Sequence, residues 1–432
     1  MNHRQIKQIS NERGCSFKDL IVLSPQNDPF YVGTKSDVEL AEWFTDLWGR
    51  FGYTTGVHLR RIHYQVISQD PCVMMPNGEP YHNTDNCWKA LGRASTYARY
   101  LHLVDPAAFD DRRNGKPLIF FELPEGEPFI QIAGVFDSFD LELPDFPDLP
   151  SYEVENFHQS QKYHVEVWAE KSTMNDILEP LCNRTKSNLI TGVGEMSITS
   201  VQWLFDRLQN YQKPCRILYV SDFDPAGRSM PVAVSRKIEK FMYDSGNAQD
   251  VRLFPLVLTQ GQCIEYQLPR TPIKESEKRA AAFEGRFGEG ATELDALEAL
   301  HPGKLARILS KAIGAYRDPH LAGEVSYREY QLSEELESIK NSIASRHYSE
   351  IEQVRGEYRK LQAEFQERVS GISQRVSSLW QAITEEMQEK APDIDDYPLP
   401  EPEEAEEIGE SLYDSNRGYF DQLQHYKQFQ GK

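Results

Sequence analysis

Cysteine is scarce in this chain. Its six cysteines stand at positions 15, 72, 87, 182, 215 and 263, with no Cys-x-x-Cys among them. That scatter argues against a cysteine zinc site and against a disulfide scaffold, and it suits a reduced, cytoplasmic setting. Long apolar runs are also missing. None approaches the roughly 20 residues needed to span a bilayer. The opening Met1–Asn2–His3–Arg4–Gln5 lacks the apolar stretch of a signal peptide. There is no Gly-x-x-x-x-Gly-Lys-Ser/Thr, so any ATP-driven step would need a separate ATPase subunit. No pair of histidines has helical ligand spacing, and no internal repeat is visible.

What the chain has in excess is negative charge, a net −20 over 432 residues. Its distribution matters more than its sum. Residues 393–432 hold eleven acids and three bases, a net −8. Bases cluster elsewhere. One group is Arg60, Arg61, Arg93, Arg99, Arg112 and Arg113. Another is Arg228, Arg236, Lys237, Arg270, Lys274, Lys278 and Arg279. A DNA-facing surface is therefore compatible with an acidic chain.

The pattern divides the chain into six stretches. Residues 1–35 are an extension with one apolar run, Leu20–Leu23. Residues 36–135 carry three helical patterns, at 37–50, 58–68 and after a cap at Asn83 or Thr84, followed by short strands at 117–121 and 128–132. Three helices and a hairpin form the winged-helix pattern, whose third helix would face a major groove. Residues 136–160 are acidic and Pro-rich and read as a linker. From 161 to 260 strands and helices alternate: strands at 163–169, 188–192, 215–221 and 251–258, helices at 172–182, 197–209 and 226–244. That alternation predicts a parallel sheet covered by helices, and a helical extension to 325 follows it. Residues 326–392 carry apolar positions at 3-4 spacing, the mark of a coiled coil or helical hairpin, interrupted at His347. Residues 393–432 are expected to be a mobile acidic tail that competes with DNA for a basic groove. The expected class is α/β.

Chemistry concentrates at two strand ends. The apolar run Ile217–Val220 ends in Ser221–Asp222–Phe223–Asp224–Pro225–Ala226–Gly227, and an upstream strand ends at Glu170. Asp-x-Asp at the carboxyl end of a strand suits a hard cation such as Mg²⁺, or Mn²⁺ in its place. If the two strands are neighbours, Glu170, Asp222 and Asp224 share one crevice, and like charges there repel unless a cation intervenes. The bland alternative is solvated or capping carboxylates. Glu293 and Asp295 read first as helix-surface acids and second as further ligands.

A glutamate after the first strand and an Asp-x-Asp after the third, with Gly192–Val193–Gly194 between them, resemble a Toprim domain, the metal-binding module of topoisomerases, primases and OLD-type nucleases. The order winged helix then Toprim is similar to the A subunit of topoisomerase VI, to its meiotic break-forming relatives and to Wadjet-type defence nucleases. In the topoisomerase group a tyrosine lies in an Arg-x-Ile-x-Tyr setting; this chain has Arg60–Arg61–Ile62–His63–Tyr64. The resemblance covers roughly residues 36–325 and implies Mg²⁺-dependent cleavage of double-stranded DNA by a homodimer, with Glu170, Asp222 and Asp224 on the metal. Tyr64 is then a nucleophile, with His63 or His58 as its base, or else a buried aromatic of its helix. Hydrolysis, tyrosine transesterification and a non-catalytic DNA-binding subunit all stay open.

Overall fold

The computed structural model describes all residues except 110–115, 121–127, 134–148, 156, 276, 362–368 and 432. Arg112, Arg113 and position 365 of the apolar seam lie outside the described residues, as do most of the 117–121 strand's connection to 128 and residues 136–148 of the linker. In chain order come α1 (His3–Arg13), α2 (Lys35–Arg50), α3 (Leu59–Ile67), α4 (Asp85–Tyr100), β1 (Phe129–Ala133) and β2 (Ser151–Glu155). Then β3 (His164–Ala169), α5 (Asn175–Thr185), β4 (Asn188–Thr191), α6 (Ile198–Tyr211), β5 (Cys215–Val220), α7 (Pro225–Ser245) and β6 (Val251–Val257) alternate. Helices α8 (Gln260–Glu265), α9 (Ala280–Phe287), α10 (Leu294–Leu300) and α11 (Lys304–Ala315) follow. Last are α12 (Leu321–Arg346), α13 (Tyr348–Leu361), α14 (Val369–Lys390), β7 (Tyr413–Asp414) and α15 (Tyr419–Gln430).

The chain divides into two compact units. One comprises residues 1–122, 162–317 and 404–432; the other comprises 123–161 and 318–403. The first is built on a five-stranded sheet in the order β4-β3-β5-β6-β7. Strands β4, β3, β5 and β6 run parallel, and β7 closes the edge antiparallel to β6. The mixed α/β character and the mostly parallel sheet follow the alternation in the sequence. β3 and β5 are buried along their whole length, because helices cover both faces and leave no solvent side. Leu178, Leu181 and Cys182 of α5 cover one face together with α9–α11. Val201, Leu204 and Leu208 of α6 and Val232 and Ile238 of α7 cover the other, in one core with Phe44, Ile62 and Leu91 of α2, α3 and α4.

The helices begin where side chains can take their unpaired N–H groups. Thr84 caps α4 by accepting from Cys87 N, and Ser197 caps α6 by accepting from Ser200 N. In α3 the alternation of Ile62, His63 and Val66 with outward Arg60, Arg61 and Tyr64 sets one buried stripe.

Three expectations are overturned here. The segments 117–121 and 128–132 do not pair with each other among the described residues. Leu118 instead bridges Leu189 at the edge of the five-stranded sheet, and β1 pairs with β2. Among the described residues no wing hairpin forms, since the sheet edge and β2 take up those backbones instead. Second, residues 151–155 of the supposed linker are a strand. Third, residues 404–432 are not a mobile tail. Leu412, Tyr413, Leu423 and Tyr426 are buried in the main core, and Tyr419 Oη donates to Leu20 O at 2.7 Å. Apolar residues at helical spacing outweigh the acidic composition of that stretch.

In the second unit α12 packs on β2 through Leu332, Leu336 and Val154. Ile343 and Ile351 meet Ile383 and Met387, while Val354 meets Ile372, Val376 and Trp380. The apolar seam is thus covered inside the chain, as a helical hairpin. His347 closes α12 at its carboxyl end and bonds Glu350 at 2.8 Å and Glu386 at 3.3 Å.

A carboxylate lies in the middle of the sheet. Glu166, on β3, is fully buried. Arg207 of α6 donates to it from Nε at 2.6 Å and from Nη2 at 2.9 Å. Trp168 Nε1 donates at 2.7 Å, and His164 Nε2 lies 2.7 Å away. Burial alone would raise the Glu166 carboxyl, but the Arg207 charge and these hydrogen bonds hold it far below the usual carboxylate range. Arg207→Met should cost about 3–5 kcal/mol in denaturant unfolding, because it strands a buried charge. The double change Glu166→Leu with Arg207→Met should recover most of that loss.

The carboxyl-terminal strand makes a second prediction. Ending the chain after Pro392 bares the edge of β6 and removes Glu407, which Arg216 Nη2 contacts at 2.8 Å. Such a truncated protein should be insoluble or aggregate, as an open apolar strand edge does. A soluble, monodisperse truncation by size-exclusion chromatography would contradict this.

Candidate metal centre

The strand order reverses at one place. From β3 the chain turns to β4 on one side, and then crosses to β5 on the other. The connections leaving β3 and β5 thus diverge and open a crevice at the carboxyl ends of these two strands, where α/β sheets bind ligands. Glu170 follows β3 there, and Asp222 and Asp224 follow β5. The crevice expected from the sequence therefore exists, because β3 and β5 are direct neighbours, with Ala169 opposite Val220.

The backbone around it is laced tightly. Glu170 N donates to Val220 O at 3.0 Å, Gly192 N to Ala169 O at 2.9 Å and Gly194 N to Glu170 O at 3.2 Å. Gly194 has φ of 93°, a conformation that favours glycine. On the far side Phe223 and Thr292 exchange backbone hydrogen bonds at 2.9 and 3.0 Å. Asp224 caps α7, its Oδ1 accepting from Gly227 N at 2.5 Å. The Pro225–Ala226–Gly227 turn has a steric reason: a Cβ on Gly227 would stand 2.1 Å from Asp222 O. Only glycine lets α7 start so close to the Asp-x-Asp.

The acids differ in their surroundings. Glu170 is 8% exposed, and its Oε2 is buried with no hydrogen-bond partner. The backbone N–H of Asp222 donates to the same carboxyl. Burial, reinforced by the negative charges of Asp222 and Asp224, pushes the Glu170 carboxyl up to about 7. Burial likewise raises Asp224, against the pull of the Gly227 hydrogen bond. Asp222 is fully engaged: Oδ1 accepts from Leu294 N at 2.7 Å, and Oδ2 is 2.6 Å from Lys171 Nζ. Lys171 also stands 3.9 Å from Glu293 and 3.7 Å from Asp295. Burial lowers the Lys171 ammonium, but the Asp222 hydrogen bond and charge, with Glu293 and Asp295, raise it overall.

Among the described residues no three His, Cys, Asp or Glu side chains are disposed around one point as a ready ligand set. Glu170 and Asp224 nevertheless fit a Mg²⁺ ion. The buried Glu170 Oε2 lacks a partner, the donors are all oxygen, and Mg²⁺ is commonly held by one or two carboxylates with water and phosphate.

Tyr64 lies on α3 and is 61% exposed, so the buried-aromatic reading of it is overturned. Its ring stands edge-on to His63, whose Nδ1 meets Tyr81 Oη at 2.7 Å and whose Nε2 meets Asn83 Oδ1 at 3.2 Å. His63 is thereby committed to the core, and His58 accepts Arg60 N at the start of α3. His63 therefore has both ring nitrogens engaged, whereas His58 has only Nδ1 engaged. No described hydrogen bond, ion pair or ring contact links Tyr64 to the acids.

The second basic cluster also changes character. Arg236 is buried against Asp28 at 3.2 Å and Glu239 at 2.7 Å. Lys237 holds Glu195 at 2.6 Å and Met196 O at 2.7 Å. Arg228 stacks on Phe429, and Arg270 donates to the carbonyls of Phe287, Gly288 and Gly290. Arg270, Lys274, Lys278 and Arg279 of that run are exposed, and Arg228, Arg236 and Lys237 are not. The first cluster keeps its surface: Arg60, Arg61 and Arg93 are exposed. A cavity of about 900 Å³ lies between α4 and the loop after β4, lined by Lys89, Arg93, Tyr97, Glu195, Ser197 and Lys237 among others.

Sequence reading missed Lys171, although it adjoins Glu170; a lone lysine beside an acid has no distinguishing spacing. It also missed Glu195 and Leu294, whose roles depend on loops that fold back onto the strand ends. No family model matches the chain, and no curated protein matches it.

The raised Glu170 carboxyl gives a pH prediction. Between its ordinary 4.5 and about 7 the native chain holds a proton that the unfolded chain has released. This group's contribution to stability is therefore largest below that window and falls as pH rises through it. In EDTA, melting temperature should drop between about pH 5.5 and about pH 8, and Glu170→Gln should flatten the drop and melt higher at the alkaline end. An identical pH slope in the two proteins would refute the assignment.

Proposed function

We propose that this chain is a Mg²⁺-dependent DNA strand-cleaving enzyme of Toprim type, an endonuclease of a DNA-defence or DNA-processing complex. The observation that carries it is the partnerless, buried Glu170 oxygen beside Asp222 and Asp224, at the switch point of a parallel sheet. Such a group is held at a cost in stability, and a cation that ligates it offsets that cost. Bound there by Glu170 and Asp224, Mg²⁺ would supply Lewis-acid polarisation of a phosphodiester and a more acidic water. The protein's own part is orientation. Gly227 lets α7 begin against Asp222, the Gly192–Gly194 loop fixes the Glu170 backbone, and Leu294 N and Lys171 hold Asp222.

Double-stranded DNA is the proposed substrate. Exposed Lys89 and Arg93 on α4 face a cavity whose other wall carries Glu195 and Ser197, and Glu195 is electrostatically coupled to Arg279 and through it to Asp224. A basic helix face suits a phosphate backbone. The pairing of Leu118 with Leu189 weakens the winged-helix reading, while α4 still exposes Lys89 and Arg93. A homodimer working in the cytoplasm, with a separate ATPase subunit, belongs to the same proposal, since two antiparallel strands suit two-fold symmetry.

One observation favours a second reading, a topoisomerase VI-like transesterase: Tyr64 is exposed beside Arg60 and Arg61 on one helix face. An exposed phenol on the same helix face as two exposed arginines can approach a phosphate.

Plasmid nicking in Mg²⁺, Mn²⁺ and EDTA tests both. Wild type should nick with either metal and stop in EDTA. Asp224→Ala and Glu170→Gln should lower the rate at least about 100-fold, the usual scale for losing a catalytic electrostatic group. Tyr64→Phe should keep cleaving if water attacks, and should lose both cleavage and a covalent protein–DNA adduct if Tyr64 attacks. Undiminished nicking in excess EDTA would defeat the metal-dependent reading.

A further inference from the structure

We propose that Lys171 is a built-in second cation of the crevice, so that the chain binds one divalent ion, on Glu170 and Asp224, where the three acids alone would take two. This rests on the metal-dependent reading above. The three acids differ in state. Asp222 has both oxygens in use, Oδ1 on Leu294 N at 2.7 Å and Oδ2 on Lys171 Nζ at 2.6 Å. Glu170 has an oxygen that is buried and unpartnered, and Asp224 is the like charge beside it. A second divalent ion would need Asp222 Oδ2, and Mg²⁺ sits about 2.1 Å from such an oxygen. An ammonium 2.6 Å away already takes one lone pair of that oxygen and sets its own positive charge against a second divalent ion there.

Lys171 is also held from both ends. Its backbone is bridged to Val193 in the loop after β4. Its ammonium lies 3.9 Å from Glu293 and 3.7 Å from Asp295, across from Asp222. The acids expected from the sequence to be surface groups or extra ligands are thus the outer wall around a lysine, half exposed themselves, with side-chain exposures of 61% and 52%. Fixed positive charge at this place would act on a bound phosphate with no ion to recruit. Chemical identity matters: an ammonium is a compact point charge with three donors, and here it has three carboxylates within 4 Å.

The test counts Mn²⁺ bound per chain, from the loss of the free-ion electron paramagnetic resonance signal, in the full-length protein without DNA. Wild type should bind one ion, Lys171→Arg one, and Lys171→Met two. Two ions on wild type would overturn the proposal whatever the variants do, which keeps it decidable if Lys171→Met fails to fold. One ion on a folded Lys171→Met, with unchanged affinity, would also overturn it. Wild type that binds no Mn²⁺ would instead defeat the metal-dependent reading itself. A wild type that binds two ions and nicks DNA leaves that reading standing and removes only the role given to Lys171.

Discussion

Like charges brought together where water is scarce are the constraint around which the sheet unit is arranged. Adjacent parallel strands end in carboxylates, and the strand order forces their connections apart so that nothing apolar can fill the gap. Every neighbouring element then answers that charge. Asp222 receives a backbone N–H and an ammonium, Asp224 is turned onto the start of a helix whose dipole favours it, and Glu170 is left with one oxygen unanswered. The same logic recurs one layer down, where Glu166 is answered by an arginine, a histidine and an indole. The difference between the two is chemical. Glu166 is fully satisfied and structural; Glu170 keeps one buried oxygen without a partner, and the proposed metal is what would answer it.

Much of this was legible in the sequence, and the reasons are local. Strands buried on both faces read as apolar runs, caps such as Thr84 and Ser197 mark helix starts, and Asp-x-Asp before Pro-Ala-Gly marks a strand end. What failed depended on partners far away in sequence. The segment around Leu118 looks like half of a hairpin until Leu189 is available to it. Glu407, Tyr413 and Tyr419 sit in an acidic stretch that composition alone would leave in solvent; their arginine and backbone partners are 155 to 399 residues away in the chain, at Arg216, Arg252, Leu253 and Leu20. Basic residues misled in the opposite direction. Arg236 reads as a phosphate contact, yet its guanidinium is enclosed by Asp28, Glu239 and the ring of Phe30. The buried alternative for Tyr64 fails for a simpler reason: Ile62, Val66 and Ile67 surround it in sequence, but one residue of rotation on a helix puts it on the outer face.

The helical hairpin of the second unit shows how far periodicity can be trusted. The 3-4 spacing correctly announces that two helices cover one another. It is silent on whether the cover is another chain or the same one, since knobs meet holes identically in both cases. The burial of Ile343 with Ile383, and of Val354 with Val376, answers that question within one chain. Surface left for a partner must then be sought on the outer faces of α12 and α13, where Tyr327, Tyr330 and Tyr348 are exposed.

The short strand β7 has a consequence in time. The sheet whose central strands carry the acids is finished by residues 413 and 414, and its unit draws on chain from both ends with the second unit inserted twice between. During synthesis the crevice strands emerge long before the strand that seals their edge. A ribosome-bound chain therefore carries an open edge at β6 for the whole time that α12 to α14 are being made. At about 5–20 residues per second that wait spans several seconds, and a folding path dominated by such distant pairings is intrinsically slow. Residues 413 and 414 thus act as a check on completeness: a chain broken off before them presents its unfinished sheet to the chaperones and proteases that survey such edges, and does so with its acidic crevice still unsupported.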